Sequence, residues 1–289
     1  MQRYEIETEE TNFMSRMMIQ AAVTMNQLQN KLDTIGNNLA NSQTTGYKSR
    51  QTEFSSLLFQ QINNMTDRAN AEGRLTPDGI RVGSGAKLGS IQRNFAIGSI
   101  KETDRVLDTV LLKENHFYPV QVEVSGNIET RYTRDGALYL HPTGTAGTVR
   151  LVTSDGHPIM GLAGPIDIEE GFDDLSIRSN GAIYVTRNGV EQFVNQLSIV
   201  EAIRPRVLEA AGDNLFRLPE LEALGYNEAD IIQDADFTSE LVQSHALEQS
   251  NVNMAEEMTN LITTQRSYQM NARTITMGDQ MMGLINQIR

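Results

Sequence analysis

Apolar residues at Met14, Met18, Ala21, Met25, Leu28, Leu32, Ile35 and Leu39 are spaced alternately four and three apart, the spacing of a heptad seam. The run predicts a helix built to lie against another helix. Near the other end Leu247, Met254, Met258, Leu261, Tyr268, Ala272, Ile275 and Met282 keep the same spacing, but Asn251, Gln265 and Asp279 fall in the phase. This second stripe is therefore interrupted, and Ile262, Met281 and Ile285 widen it. Isolated helices are marginal in water and neither stripe can be buried by its own helix, so the two ends are expected to pair with each other or with neighbouring copies.

Between the helices the pattern shortens to Val, Ile, Leu and Tyr runs broken by Asp135-Gly136, Asp155-Gly156, Asn180-Gly181 and Asn188-Gly189, the dipeptides of tight hairpin turns. Around Asn180-Gly181, Leu175 and Ile177 on one side and Ile183 and Val185 on the other alternate with polar residues, as a hairpin with one buried face requires. Pro119, Pro142, Pro158 and Pro165 are expected at turns or on edge strands. The predicted class is a mainly β middle domain plus α, in which N- and C-terminal helices pair as a coiled-coil-like unit flanking an all-β domain. The expected boundaries are an extension over 1–13, read as disordered, and an N-terminal helical segment over 14–62. A Gly- and Pro-containing connector follows over 63–85, then a β-rich domain over 86–240 and a C-terminal helical segment over 241–289.

Composition narrows the chemistry. The 289 residues carry 37 acidic and 24 basic side chains, a net charge of −13, with no basic block of the kind that releases counterions from a nucleic acid. Nucleic acid is thus not expected as a partner, nor is a membrane span, because the longest apolar stretches fall far short of the roughly 20 residues a bilayer requires. No Sec-type signal peptide reads from Met1 to Glu10. The chain has no cysteine, which removes disulfides and thiolate chemistry. His116, His141, His157 and His245 are scattered without metal-ligand spacing, and no nucleophile elbow or phosphate loop occurs. The acid pairs Glu169-Glu170 and Asp173-Asp174 read as solvated turns. No catalytic residue, metal or cofactor is expected. The 13 methionines lie in part on both helical seams, where flexible thioethers suit irregular packing better than a redox role.

The run Asn37, Asn38, Leu39, Ala40, Asn41, Ser42, Gln43, Thr44, Thr45, Gly46, Tyr47, Lys48 resembles the signature of flagellar rod, hook and hook-associated proteins. The stretch Leu247 to Met258, with Ser250, Asn251 and Asn253, continuing through Gln265 to Asn271, is similar to that family's C-terminal signature. Tyr132 to Gly136, Gly212 to Phe216 and Val82 to Gly85 leading into Ile91 to Arg93 also resemble family stretches. The likeness covers residues 14 to 289 and is nearest to the distal and proximal rod proteins. It departs at residues 1–13, which are extra, and at Lys113-Glu114-Asn115-His116-Phe117-Tyr118, where rod proteins carry an acidic-Gly-Phe-Phe turn and the missing glycine bears on local geometry.

The resemblance implies a structural subunit of the bacterial flagellar basal body rod, not an enzyme, that polymerises with itself and with other rod and hook proteins into a torque-transmitting shaft. It implies passage through the flagellar type III export apparatus to a place outside the cytoplasmic membrane. The assembly seams would run through Met18, Met25, Leu28, Leu32, Ile35, Leu39, Met254, Met258, Leu261, Tyr268, Ile275 and Met282. Gly46 is expected to terminate the first helix through a positive φ. Asn38, Asn41, Asn251 and Asn253 are expected to satisfy backbone or cross-subunit polar groups. Two rivals remain at this point: a hook-type axial subunit of the same family, and a secreted cell-wall-binding protein, disfavoured by the absence of Trp and only 6% aromatic residues.

Overall fold

The computed structural model describes residues 2–56, 59–62, 80–83, 86–124, 126–144, 147–212, 214–219, 225 and 227–287. The chain divides into two compact units. Met1–Leu39, Arg50–Gln92 and Met254–Arg289 form the first, and Ala40–Ser49 with Arg93–Asn253 the second.

In the first unit α1 (Gln2–Ala40) is followed by β1 (Arg50–Ser56), β2 (Phe59–Ile62), β3 (Ile80–Gly83) and β4 (Ala86–Arg93), and the chain ends in α2 (Met254–Gln287). β1 pairs with β4 and β2 with β3. Two expected boundaries change. Residues 2–13 are helical rather than disordered. The predicted helical segment over 14–62 is helical only to Ala40, because the run from Asn41 to Gly46 offers turn formers whose side chains compete with helical hydrogen bonding, and Arg50–Ser56 and Phe59–Ile62 are strands. The connector expected over 63–85 lies, apart from β3, outside the described residues.

The two helices meet within this unit. Asn38 Nδ2 donates to Glu257 Oε1 at 2.8 Å near the end of α1 and the start of α2. Further along, Gly278 sits so close to Met18 that a Cβ there would come within 2.9 Å of Met18 Cγ. Pairing residue 38 with 257 and residue 18 with 278 makes the contact antiparallel. On α2 the buried or half-buried positions include Glu257, Leu261, Thr264, Tyr268, Asn271, Ile275, Gly278, Met282 and Ile285, a heptad spacing whose second position lies one residue earlier than the apolar pattern indicates. Gly278 leaves room for the Met18 side chain and Thr264 is buried, while Met254, Met258, Met270, Met277 and Met281 are exposed.

The second unit contains β5 (Ile100–Glu102), β6 (Thr109–Leu111), β7 (His116–Val124), β8 (Asn127–Thr133), β9 (Tyr139–Pro142), β10 (Thr148–Val152), β11 (Met160–Gly161), β12 (Gly164–Pro165), β13 (Asp167–Glu169), β14 (Asp174–Ile177), β15 (Ala182–Arg187), β16 (Val190–Gln196), β17 (Val200–Ala202), β18 (Glu209–Ala210), β19 (Leu215–Arg217), β20 (Ile232–Asp234), β21 (Val242–Ser244) and β22 (Ala246–Glu248). The expected hairpin is present, with Leu175 opposite Val185 and Ile177 opposite Ile183. Its turn is a three-residue loop in which Gly181 alone takes a positive φ, whereas Asn188 and Gly189 both do, as a two-residue hairpin turn demands. Leu247, read as helical, lies in β22, and the segment 241–253 is strand and extended chain rather than the start of the C-terminal helix.

The largest sheet runs β18-β19-β8-β7-β17-β20. Its central strand β7 is buried on both faces. Tyr118, Val120 and Val122 enter one apolar cluster with Leu138, Leu151, Ile166, Ile183 and Leu197. Phe117 enters another, against Phe95 and Phe216 at ring-centroid separations of 5.8 and 5.5 Å. Pro119 stands inside this central strand, not at an edge. Pairing with β17 ends at Phe117 and the chain at 158–159 takes over at Val120, so the proline nitrogen faces a gap where no donor is needed.

Candidate functional site

The second unit brings the N-terminal signature, the C-terminal signature and the β domain together around one buried ionic cluster. Beyond α1 the chain turns, with Thr44 N–H donating to Asn41 O, and reaches Gly46 at φ +64°. Gly46 is six residues past the end of the helix, so it does not cap it. Its role is close approach: a Cβ there would sit 2.8 Å from the backbone of Arg134 and Asp135, while its N–H donates to Glu248 O at 2.9 Å. Tyr47, Lys48 and Ser49 follow as a buried strap.

Lys48 Nζ lies 2.6 Å from Glu248 Oε1 and donates also to Ala96 O at 2.7 Å. Arg134 Nε donates to Glu248 Oε2 at 2.9 Å, and its Nη1 reaches Lys113 O and His116 O at 3.1 and 2.9 Å. Gly98 N–H completes the carboxylate shell at 2.9 Å from Oε1. The three charged side chains are at most 2% exposed. One carboxylate thus serves two cations in a dry site, where charge-assisted bonds are strong and an unpaired charge is costly. Burial, followed by the neighbouring Arg134, lowers the Lys48 pKa from 10.5 to about 8. Burial pushes the Glu248 carboxyl up, but Arg134 and Lys48 outweigh it and hold it below its ordinary value. Burial raises Asp135, offset in part by Ala137 N–H and by Thr45 Oγ1, which donates to Asp135 Oδ1 at 2.9 Å.

These shifts fix a pH prediction. Between about 8 and 10.5 the unfolded chain holds a proton on Lys48 that the folded chain has released, so folding stability rises with pH across that window. Urea unfolding of the wild type and of Lys48→Met at pH 7 to 10 is expected to show the wild type gaining on the variant above pH 8; a constant difference would contradict the burial argument. Glu248 works at the other end, contributing stability that is lost as pH falls below the carboxylate range, with the raised Asp135 opposing it.

Asn251 supports the same junction. Its Oδ1 accepts Ser49 N–H at 2.7 Å, and its Nδ2 donates to Asn94 O and Ala96 O at 2.8 and 3.0 Å. Thr45 O accepts Asn214 Nδ2 at 2.8 Å. Ser250 is buried and Asn253 exposed. Asn41 Oδ1 accepts Thr44 Oγ1 at 3.3 Å. In the first unit Asn38, 1% exposed, brackets Arg50 by accepting its N–H and donating to its carbonyl. The turn at the departure Glu114-Asn115-His116 forms without glycine because Asn115 adopts φ +59°, which asparagine tolerates, and His116 O faces the Arg134 guanidinium. Of the seam residues, Ile35 is buried, and Met18, Met25, Leu28, Leu32, Leu39, Leu261, Tyr268, Ile275 and Met282 are half-buried, while Met254 and Met258 are exposed. Glu169 pairs with Arg187, Asp173 accepts Asn188 N–H, and Asp174 accepts Leu175 N–H. Among the described residues no group of three or more metal-ligating side chains occurs, and no helix is long and apolar enough to cross a membrane.

The ionic cluster was not foreseen as chemistry. Lys48, Arg134 and Glu248 each stand in a stretch that resembles the family, and the available signal is a charged residue inside or at the end of each run. Three family profiles match this chain: Flagella basal body rod protein over residues 19–48, Flagellar hook protein FlgE/F/G D1 domain over 113–185, and Flagellar basal body rod FlgEFG protein C-terminal over 243–288. Each contributes one member of the cluster. The Flagellar hook-basal body complex protein FlhP of Bacillus subtilis is 41% identical over 281 residues, covering 96% of this chain and 100% of that protein. The Flagellar basal-body rod protein FlgG of Caulobacter vibrioides is 34% identical over 93% of this chain and 97% of its own length. The chain belongs to the flagellar basal-body rod protein family. FlgG of Bacillus subtilis, at 30% identity over 93% of the chain, falls below FlhP of the same organism. For a rod-family protein the cluster has a plain meaning: it ties the two signatures that flank the helices to the β domain between them.

Proposed function

We propose that this chain is a structural subunit of the flagellar basal-body rod, resident in the flagellar basal body, and that its terminal helices pair as a coiled-coil-like unit that packs with those of neighbouring copies. The observation that carries this reading is the correspondence with a hook-basal body complex protein over 96% of the chain. The helix surfaces support it. Met270, Met277, Met281 and Leu284 on α2 are 47 to 69% exposed and repeat at heptad-like intervals away from the positions that face α1, with Met254, Met258 and Ile262 exposed nearer its start. A repeated heterologous contact through such stripes, with a rotation that does not close, generates an open helix of subunits, and its product is a shaft that transmits torque to the hook. Export through the flagellar type III apparatus and assembly with other rod and hook proteins belong to the same reading. The greater identity to FlhP than to FlgG within one organism favours a place equivalent to that of FlhP.

The double substitution Met270→Asp and Met277→Asp tests the packing role. Substitutions at exposed positions change stability by about 0.5 kcal/mol or less, so the purified variant is expected to unfold like the wild type. Its recovery in isolated hook-basal bodies is expected to fall at least tenfold. Normal incorporation would remove the outer α2 stripe from the assembly surface.

A further inference from the structure

We infer that closure of the second unit is gated by its last segment, residues 241–251, which carries a carboxylate that two buried cations bond to. Arg134 and Lys48 precede Glu248 by 114 and 200 residues, so a chain appearing N-terminus first presents both cations long before their partner. Packing β7 and β8 around Arg134 at that stage would bury an uncompensated charge, a cost comparable with the whole stability of a small domain. The segment supplies more than charge. Leu241 and Val242 belong to the main apolar cluster, and Ala246 is fully buried. Its backbone ties together parts of the unit that are far apart in sequence. Leu241 N–H and Val242 N–H donate to Ser179 O, Leu241 O accepts Leu112 N–H, and Gln249 N–H donates to Ser99 O. Glu248 O accepts Gly46 N–H, and Asn251 holds the strap at Ser49. Space is closed as tightly as charge, since a Cβ at Gly98 would lie 1.9 Å from Gln249 O.

The consequence is a single late closure. The β domain stays open until residue 251 is present, with only the 34-residue α2 essentially left to follow. This gate concerns folding of the isolated chain and does not depend on the assembly role.

Refolding of the full-length protein from urea, followed by pulse-labelled hydrogen exchange, tests it. The amides of Gln121, Leu151 and Leu197, deep in the β domain, are expected to gain protection with the same rate constant as those of Gly46, Ala246 and Gln249. Protection of the first group in a distinctly faster phase would overturn the gate. In Glu248→Gln the folding rate is expected to drop at least tenfold; if the variant instead folds at the wild-type rate and only unfolds faster, Glu248 is a late structural contact and the inference fails. Asn251→Ala, a milder lesion in the same segment, is expected to slow folding in the same direction, and an unchanged rate there would count against the gate. The wild-type labelling experiment decides the matter even where Glu248→Gln does not fold.

Discussion

Glu248→Gln is expected to destabilise the second unit by about 3–5 kcal/mol at neutral pH, the cost of removing one partner from a buried ion pair. The variant keeps the shape of the side chain but leaves Lys48 and Arg134 without their carboxylate, both at most 1% exposed. Lys48, whose pKa already stands near 8 with Glu248 present, then loses the group that favours its charged form and sheds its proton more readily. That proton loss limits the damage, so the deficit is expected to shrink as pH rises above neutrality. Chemical denaturation across pH 6 to 9 measures both effects. Glu191→Gln is the control, because Glu191 and its partner Arg178 are more than half exposed, and such pairs contribute about 0.2–1 kcal/mol. Equal losses in the two variants would show that the cluster is solvated in practice.

Gly46→Ala is expected to cost about 2–4 kcal/mol, from two sources that act at the same atom. The φ of +64° alone disfavours an L side chain, by about 1–2 kcal/mol. In addition the new methyl group would meet Arg134 C and Asp135 N at 2.8 Å, backbone atoms that cannot swing aside as a flexible side chain can. Gly189→Ala separates the two contributions, because Gly189 has φ +77° and nothing within 4 Å of the added carbon. Its loss is expected to stay near the conformational part. Thermal unfolding of the two variants side by side gives the difference, and a Gly46→Ala loss no larger than that of Gly189→Ala would mean the loop at 134–135 yields freely.

The parts of the fold that were legible in the sequence are those written in local pattern. The α1 stripe, the Leu175 to Val185 hairpin and the Asn188-Gly189 turn follow from periodicity and from the few residues that accept positive φ. The apolar count favours Met258, which is exposed, over Glu257, Thr264 and Gly278, which are buried or half-buried toward α1 and where small size and hydrogen bonding decide the contact. Pro119 was misread because its tolerance in a central strand depends on where β17 stops, which is set by pairing more than 80 residues away. The positive φ of Gly46 is legible in the Thr-Thr-Gly-Tyr run, but what the glycine approaches is the backbone of Arg134 and Asp135 and not the helix. The ionic cluster lay beyond pattern altogether. Its members are joined across 114 and 200 residues, and no periodicity carries information over that range.

The most direct measurement of the central claim is the location of a tagged copy of this chain in purified hook-basal bodies by immunogold electron microscopy, with the swimming of a deletion strain scored alongside. The account predicts label on the rod below the hook and loss of swimming. Particles without label, from cells whose deletion leaves swimming intact, would contradict it.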